Sequence, residues 1–111
     1  MSSTKYVNIA RNLVQKHKFF QLTASWCPDC RYTNNIWKTF NVQNKIQSLE
    51  IAPMDRIEAD NYREAFSIVA GGIRNLPTVF VNGKYWCTEK ELHSWESNGT
   101  LKQEFEKVGL L

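Results

Sequence analysis

"TASWCPDCRYT", residues 23–33, sets two cysteines two residues apart, with the β-prone run "KFFQLTA" (18–24) leading into them. Pro28 follows the first cysteine and suits the opening turn of a helix, where no backbone N–H is needed. Ile36, Trp37 and Phe40 give that helix an apolar face. The stretch reads as a short buried strand, a cysteine pair and a helix in immediate succession.

That order places Cys27 at a helix N-terminus, where unpaired N–H groups and the helix dipole favour an anion. The thiolate is the nucleophile of disulfide exchange, so Cys27 is the candidate attacking sulfur. Cys30 lies about one turn further in, within reach of Cys27 but more shielded, which suits a resolving thiol. Three other readings compete with this one. Structural zinc needs four ligands, and Cys87, His17 and His93 stand at no zinc-like spacing from the pair. An inert disulfide at this spacing would close too small a loop to add much stability. A pair of buried, non-catalytic thiols is the third.

Outward from the pair, Tyr6, Ile9, Ala10, Leu13 and Val14 recur at helical spacing and predict a helix over residues 4–17. Leu49 and Ile51 alternate with polar neighbours and suggest a second strand before "PMD" breaks the chain. Tyr62, Ala65, Phe66 and Val69 mark a third helix, stopped by Gly71-Gly72. "TVFVNGKYWC" (78–87) reads as a hairpin, because both positions of Asn82-Gly83 tolerate positive φ. Thr88 with Glu91, and Thr100 with Gln103, each match a capping box and open a short helix. Strands alternating with helices imply a central sheet covered on both faces, and the first two strands should pair in parallel because a helix crosses between them.

The 111 residues are expected to form one domain, 1–111. Hydrophobic residues at 42% and charged residues at 23% are ordinary for a globular protein and argue against disorder. No apolar stretch approaches the roughly 20 residues needed to cross a bilayer. The basic, acid-free first segment reads as the first helix of the fold rather than as a targeting sequence. The net charge of +3 is scattered rather than clustered, so nucleic-acid binding is not implied. Three cysteines are too few for a secreted disulfide framework. A reducing, cytoplasmic setting is expected, where Cys-x-x-Cys is more often redox-active or metal-binding than structural.

With "WCPDC" (26–30) followed by "RNLPTVFVNGKYW" (74–86), the chain resembles the glutaredoxins of the thioredoxin-fold superfamily. Within that family it is most similar to divergent fungal dithiol members that share the Trp-Cys-Pro-Asp-Cys site. The resemblance extends from the leading helix to the terminal "GLL". It implies a thioredoxin-like α/β fold with a central mixed four-stranded sheet flanked by helices. It also implies a thiol–disulfide oxidoreductase with Cys27 and Cys30 as its redox-active disulfide. Protein disulfides or glutathione mixed disulfides would be reduced with glutathione as co-substrate, and no metal or organic cofactor would be bound. Partners would be glutathione and oxidised or glutathionylated proteins, without nucleic acid or membrane, and the protein would be a monomer. By the same resemblance Pro77 is cis and faces the cysteines, and Trp26 and Pro28 line a glutathione groove. The Leu76 main chain would pair with the tripeptide, and Thr88, Glu89 and Lys90 would meet its γ-glutamyl end. Arg74 and Arg63 are candidate carboxylate partners.

Three positions depart from the family pattern. Ala24 stands where a lysine usually helps bind glutathione. Asp29 replaces an aromatic between the cysteines and opposes thiolate formation by like charge, with Arg31 as a nearby offset. Cys87-Thr88 replaces a Gly-Gly pair and should narrow the groove. All three point to weak glutathione handling. A thioredoxin-related family shares Trp-Cys-Pro-Asp-Cys, so the rival reading is a disulfide reductase recharged by thioredoxin reductase; chain length, the early helix and the Arg-x-x-Pro context favour glutaredoxin. Cys87 reads as a small buried residue at a strand end, with an accessory disulfide or glutathione acceptor as the alternative.

Overall fold

In the computed structural model, which describes residues 4–111, the leading amphipathic segment forms α1 (Thr4–Lys16) and the β-prone run forms β1 (Phe19–Thr23). Met1–Ser3 of the expected domain lie outside the described residues. Then follow α2 (Pro28–Thr39), a 3-10 turn (Gln43–Lys45), β2 (Gln47–Glu50), α3 (Arg56–Val69), β3 (Thr78–Val81), β4 (Lys84–Cys87), α4 (Glu89–Asn98) and α5 (Leu101–Lys107). The strands form one mixed sheet in the order β2-β1-β3-β4. β1 runs parallel to β2, as the crossing helix requires, and antiparallel to β3.

β1 is paired on both edges and covered on both faces, and all five of its residues are buried. Strand alternation divides its side chains. Phe20 and Leu22 join Ala10 and Val14 of α1 and Ala65 and Phe66 of α3 in one core. Phe19 packs on the other face with Trp37, Leu92 and Phe105 from α2, α4 and α5. Trp86 and Trp95 flank the second core, and Trp86 lies 5.7 Å from Trp95 and 5.8 Å from Phe105, centroid to centroid. The three tryptophans outside the cysteine motif are thus packing residues.

A buried amide on β1 fixes α2 to the sheet. Gln21 accepts a hydrogen bond from the Trp37 indole at 3.1 Å and donates to Asn34 at 3.1 Å and to Ser48 on β2 at 3.0 Å. Its polar atoms are satisfied, so it behaves as a specifying contact rather than a penalty.

The second predicted strand ends at Glu50, one residue before Ile51, which still donates from its N–H to the Thr23 carbonyl at 3.0 Å. Gly71 and Gly72 stop α3 with φ of +76° and +104°. The hairpin turns through Asn82 and Gly83 at φ of +54° and +81°, the conformation that the dipeptide favours. Thr88 forms the expected capping box with Glu91. The capping box expected at Thr100 does not form. Thr100 follows left-handed Gly99, and its hydroxyl turns back to donate to the Trp95 carbonyl of α4 at 3.4 Å, so it closes the preceding helix instead of opening its own. Thr88→Ala should therefore lower unfolding stability by about 1 kcal/mol and Thr100→Ala by only a few tenths; equal losses in urea denaturation would refute the assignment.

Candidate active site

Cys27 is the N-cap residue of α2, in extended conformation (φ −90°, ψ 122°), with Pro28 opening the helix and Asp29 in its first turn. Its side chain is 8% exposed, whereas Trp26 beside it is 56% exposed. Cys30, one turn inward, is completely buried. Both are free thiols, and they stand within hydrogen-bonding reach of each other. The Cys27 thiol donates to the Leu76 carbonyl at 3.7 Å, and the following Leu76–Pro77 peptide is cis. The Cys30 sulfur accepts from the Ala24 N–H at 3.4 Å. Burial is the main reason that the Cys30 thiol is pushed up to about 11, partly offset by the Ala24 N–H bond and by the nearby Thr23 hydroxyl. The arrangement places one sulfur, slightly exposed, at the helix end and holds the other as a neutral thiol fully buried one turn further in.

The turn between β1 and α2 is held from both sides. Glu50, at the end of β2, accepts from the N–H of Ser25 at 3.0 Å and of Ala52 at 2.8 Å. Arg31 reaches back to the Ser25 carbonyl at 3.0 Å. The Leu76 segment is tied to α4 by Asn75, which donates to the buried Glu89 carboxylate at 2.8 Å. Glu50, Asn75 and Gln21 escaped the sequence reading. Gln21 alone left a local signal, as a polar residue within an apolar strand; the others depend on which segments meet.

At the start of α4, Thr88 accepts from the Lys90 N–H at 3.2 Å, and Glu91 accepts from the Thr88 N–H at 2.8 Å and from the Tyr85 hydroxyl at 3.0 Å. Burial works against the Glu91 carboxylate, but these bonds outweigh it and hold its pKa below the usual range. Burial, then the bond to Glu91, pushes the Tyr85 hydroxyl up. Thr88 and Glu89 are buried and Lys90 is exposed. Arg74 is paired with Glu64 of α3, whose carboxyl its guanidinium keeps low. Arg63, on α3, is half-buried and has no ion-pair partner among the described residues.

The departures from the family pattern take the following places in the structure. Ala24, where the family pattern has a lysine, is fully buried and its N–H serves Cys30. Cys87 and Thr88 do not narrow a groove with their side chains. Cys87 is fully buried in the core and the Thr88 hydroxyl is engaged in its own helix cap. Burial, with Glu91 and Glu89 nearby, pushes the Cys87 thiol well up, and the residue packs in the core with Val79 and Leu92. Among the described residues no group of three or more His, Cys, Asp or Glu could hold a metal ion, and no helix is long and apolar enough to cross a membrane.

A thiol pair at the strand–helix junction of this mixed sheet defines a thiol–disulfide oxidoreductase of the thioredoxin fold. The glutaredoxin family model matches residues 13–86, and the chain belongs to that family. It is 49% identical over 106 residues to Glutaredoxin-8 of Saccharomyces cerevisiae, an alignment covering 96% of each chain. The solution structure of yeast dithiol glutaredoxin Grx8 superposes with a TM-score of 0.88 at 48% identity, over 98% of this chain and 99% of that one. The crystal structure of oxidized glutaredoxin 2 from Chlamydomonas reinhardtii gives a TM-score of 0.78 at 27% identity, over the full length of both.

The contrast between the sulfurs predicts ordered labelling. Iodoacetamide near neutral pH should modify Cys27 in the folded protein and leave Cys30 and Cys87 unmodified. Cys30 has a raised pKa, so it stays protonated until the pH approaches about 11. Peptide mapping that finds Cys30 labelled as fast as Cys27 at pH 7 would contradict this.

Proposed function

We propose that the protein is a glutathione-dependent dithiol oxidoreductase that reduces protein disulfides or glutathione mixed disulfides, with low proficiency toward glutathione. Cys27 is the nucleophile and Cys30 the resolving thiol. The observation that carries this reading is the difference in environment between the sulfurs: Cys27 at the mouth of α2 against the Leu76 carbonyl, Cys30 buried behind it. Cys27 attacks a substrate disulfide and one substrate sulfur leaves as thiol. Cys30 then displaces the remaining half, closing the Cys27–Cys30 bond. Two glutathione molecules reopen it, yielding oxidised glutathione. Trp26 and Pro28 border the thiol, Leu76 and Pro77 align the incoming chain, and Thr88, Glu89 and Lys90 frame the far end, with Arg63 and Arg74 to its carboxylates. The setting is cytoplasmic and the working form a monomer.

Low proficiency is supported by charge. A helix N-terminus binds a carboxylate through its free N–H groups, but at α4 Glu91 already accepts from Thr88 and Glu89 lies buried alongside. Arg74 is paired to Glu64, and position 24 offers a buried methyl. At the start of α4 a glutathione carboxylate meets fixed protein carboxylates, offset there by the exposed Lys90. The same observation favours a second donor, thioredoxin reductase, which need not recognise a γ-glutamyl group.

Turnover of a glutathione mixed disulfide with glutathione and glutathione reductase, set against insulin reduction with thioredoxin reductase, tests the donor. Activity in the first system supports the proposal; activity in the second alone replaces it with the rival reading. Cys27→Ser should reduce either activity to background, and Cys30→Ser should keep attack on mixed disulfides but lose protein-disulfide reduction. Glu91→Gln keeps an acceptor for the helix cap and removes a like charge, so KM for glutathione should fall several-fold; an unchanged KM would rule out the charge argument.

A further inference from the structure

Thr23, the last residue of β1, is 4% exposed, and its hydroxyl oxygen has no hydrogen-bond partner among the described residues. A buried hydroxyl without a partner costs stability. Two residues earlier in the same strand, Gln21 shows how a buried polar group is ordinarily satisfied here. A valine would fill the Thr23 site with the same shape and no orphaned oxygen. The next residue, Ala24, already donates its N–H to the Cys30 sulfur at 3.4 Å. The Thr23 hydroxyl stands by that same sulfur, where it favours the thiolate, although the neutral thiol does not hold it in a hydrogen bond. Among the described residues Cys27 is the titratable group that bears on Cys30, and it opposes ionisation.

We propose that Thr23 is a positioning residue for disulfide resolution, its hydroxyl donating to the Cys30 sulfur only while that sulfur carries negative charge. The inference rests on the reading that Cys27 attacks and Cys30 resolves. In the resolving step the Cys30 proton is released and the thiolate attacks the Cys27 sulfur of the mixed disulfide. The Cys27–Cys30 bond forms, the bond from Cys27 to the substrate sulfur breaks, and the departing thiolate takes up a proton. In the reverse direction a donor thiolate attacks Cys27, and Cys30 leaves with the electron pair. A buried sulfur facing two donors, the Ala24 N–H and the Thr23 O–H, forms that anion more readily than one facing a single N–H. Charge-assisted hydrogen bonds are the stronger kind, so a donor idle toward the thiol is useful toward the thiolate.

The test uses the full chain with Thr23→Val, Thr23→Ala and Thr23→Ser. Stopped-flow mixing with oxidised glutathione separates the first attack by Cys27 from closure of the Cys27–Cys30 bond. Loss of the donor should raise the Cys30 pKa by about one unit or more. The thiolate fraction then falls tenfold per unit while nucleophilicity rises about threefold, a net slowing of closure of about threefold. The first attack should be unchanged in Thr23→Val, and its Tm equal to or above that of the wild type. Thr23→Ala should slow closure likewise, and Thr23→Ser should restore it. In a Cys27→Ser background, alkylation of Cys30 at pH 9 should drop by a similar factor on adding Thr23→Val. Closure at the wild-type rate in both donor-free variants overturns the proposal; so does slowing shared by Thr23→Ser, or equal slowing of both steps. If Cys30→Ser reduces protein disulfides as well as the wild type, the parent reading fails instead, a result independent of Thr23.

Discussion

The burial of Cys30 behind the first turn of α2 is the constraint on which the rest depends. Burial pushes its pKa up to about 11, so Cys30 is held as the neutral thiol at neutral pH. Its chemistry is therefore confined to what reaches it from inside the fold. Cys27, at the N-cap, is reached from outside, beside the exposed Trp26. Two chemically identical side chains acquire different access from their placement on one helical turn. On the proposed mechanism that difference sets the order of events: an external disulfide meets Cys27 first, and Cys30 acts once a mixed disulfide is held against it.

Such a placement needs the strand end, the turn and the helix start to keep a fixed relation. Three sets of contacts supply it. The Gln21 amide joins β1 to α2 and β2. Glu50 and Arg31 grip opposite polar groups of Ser25, immediately before the motif. Ile51 and Thr23 continue the parallel pairing past the end of the regular strands. None of these is a surface ion pair of the weak, screened kind. They use main-chain groups or the buried Gln21 amide. The wall opposite is fixed from α4, through Asn75 and Glu89.

The features legible in the sequence are those encoded within one element. The strand–Cys–Pro–helix order, the Asn82-Gly83 turn, the Gly71-Gly72 stop and the Thr88 cap each follow from residues a few positions apart, and each appears in the structure. The Thr100 motif had the same local form and did not cap, because the Trp95 carbonyl competed for its hydroxyl. Side-chain direction at the end of an element was also illegible. Ala24, Cys87 and Thr88 match positions that line a groove in the family pattern, yet burial turns their side chains inward. Charge partners were hidden for a related reason. That Arg74 meets Glu64 and Asn75 meets Glu89 depends on how segments pack, which hydrophobic periodicity does not record.

Those hidden partners bear on which substrates the site suits. Asp29 is exposed on the first turn of α2, where water and salt weaken its repulsion of an anion at Cys27. The carboxylates at α4 are different. Glu89 is buried and Glu91 is held by three hydrogen bonds, so neither can swing away from an incoming acid. A small ligand recognised through its carboxylates must contend with that fixed negative charge. A polypeptide disulfide presents instead an extended main chain for the Leu76 segment and apolar surface for Trp26, neither of which involves α4 carboxylates. On the proposed function, electrostatics and geometry act in the same direction, toward protein disulfides over the free tripeptide, through charges already satisfied inside the fold.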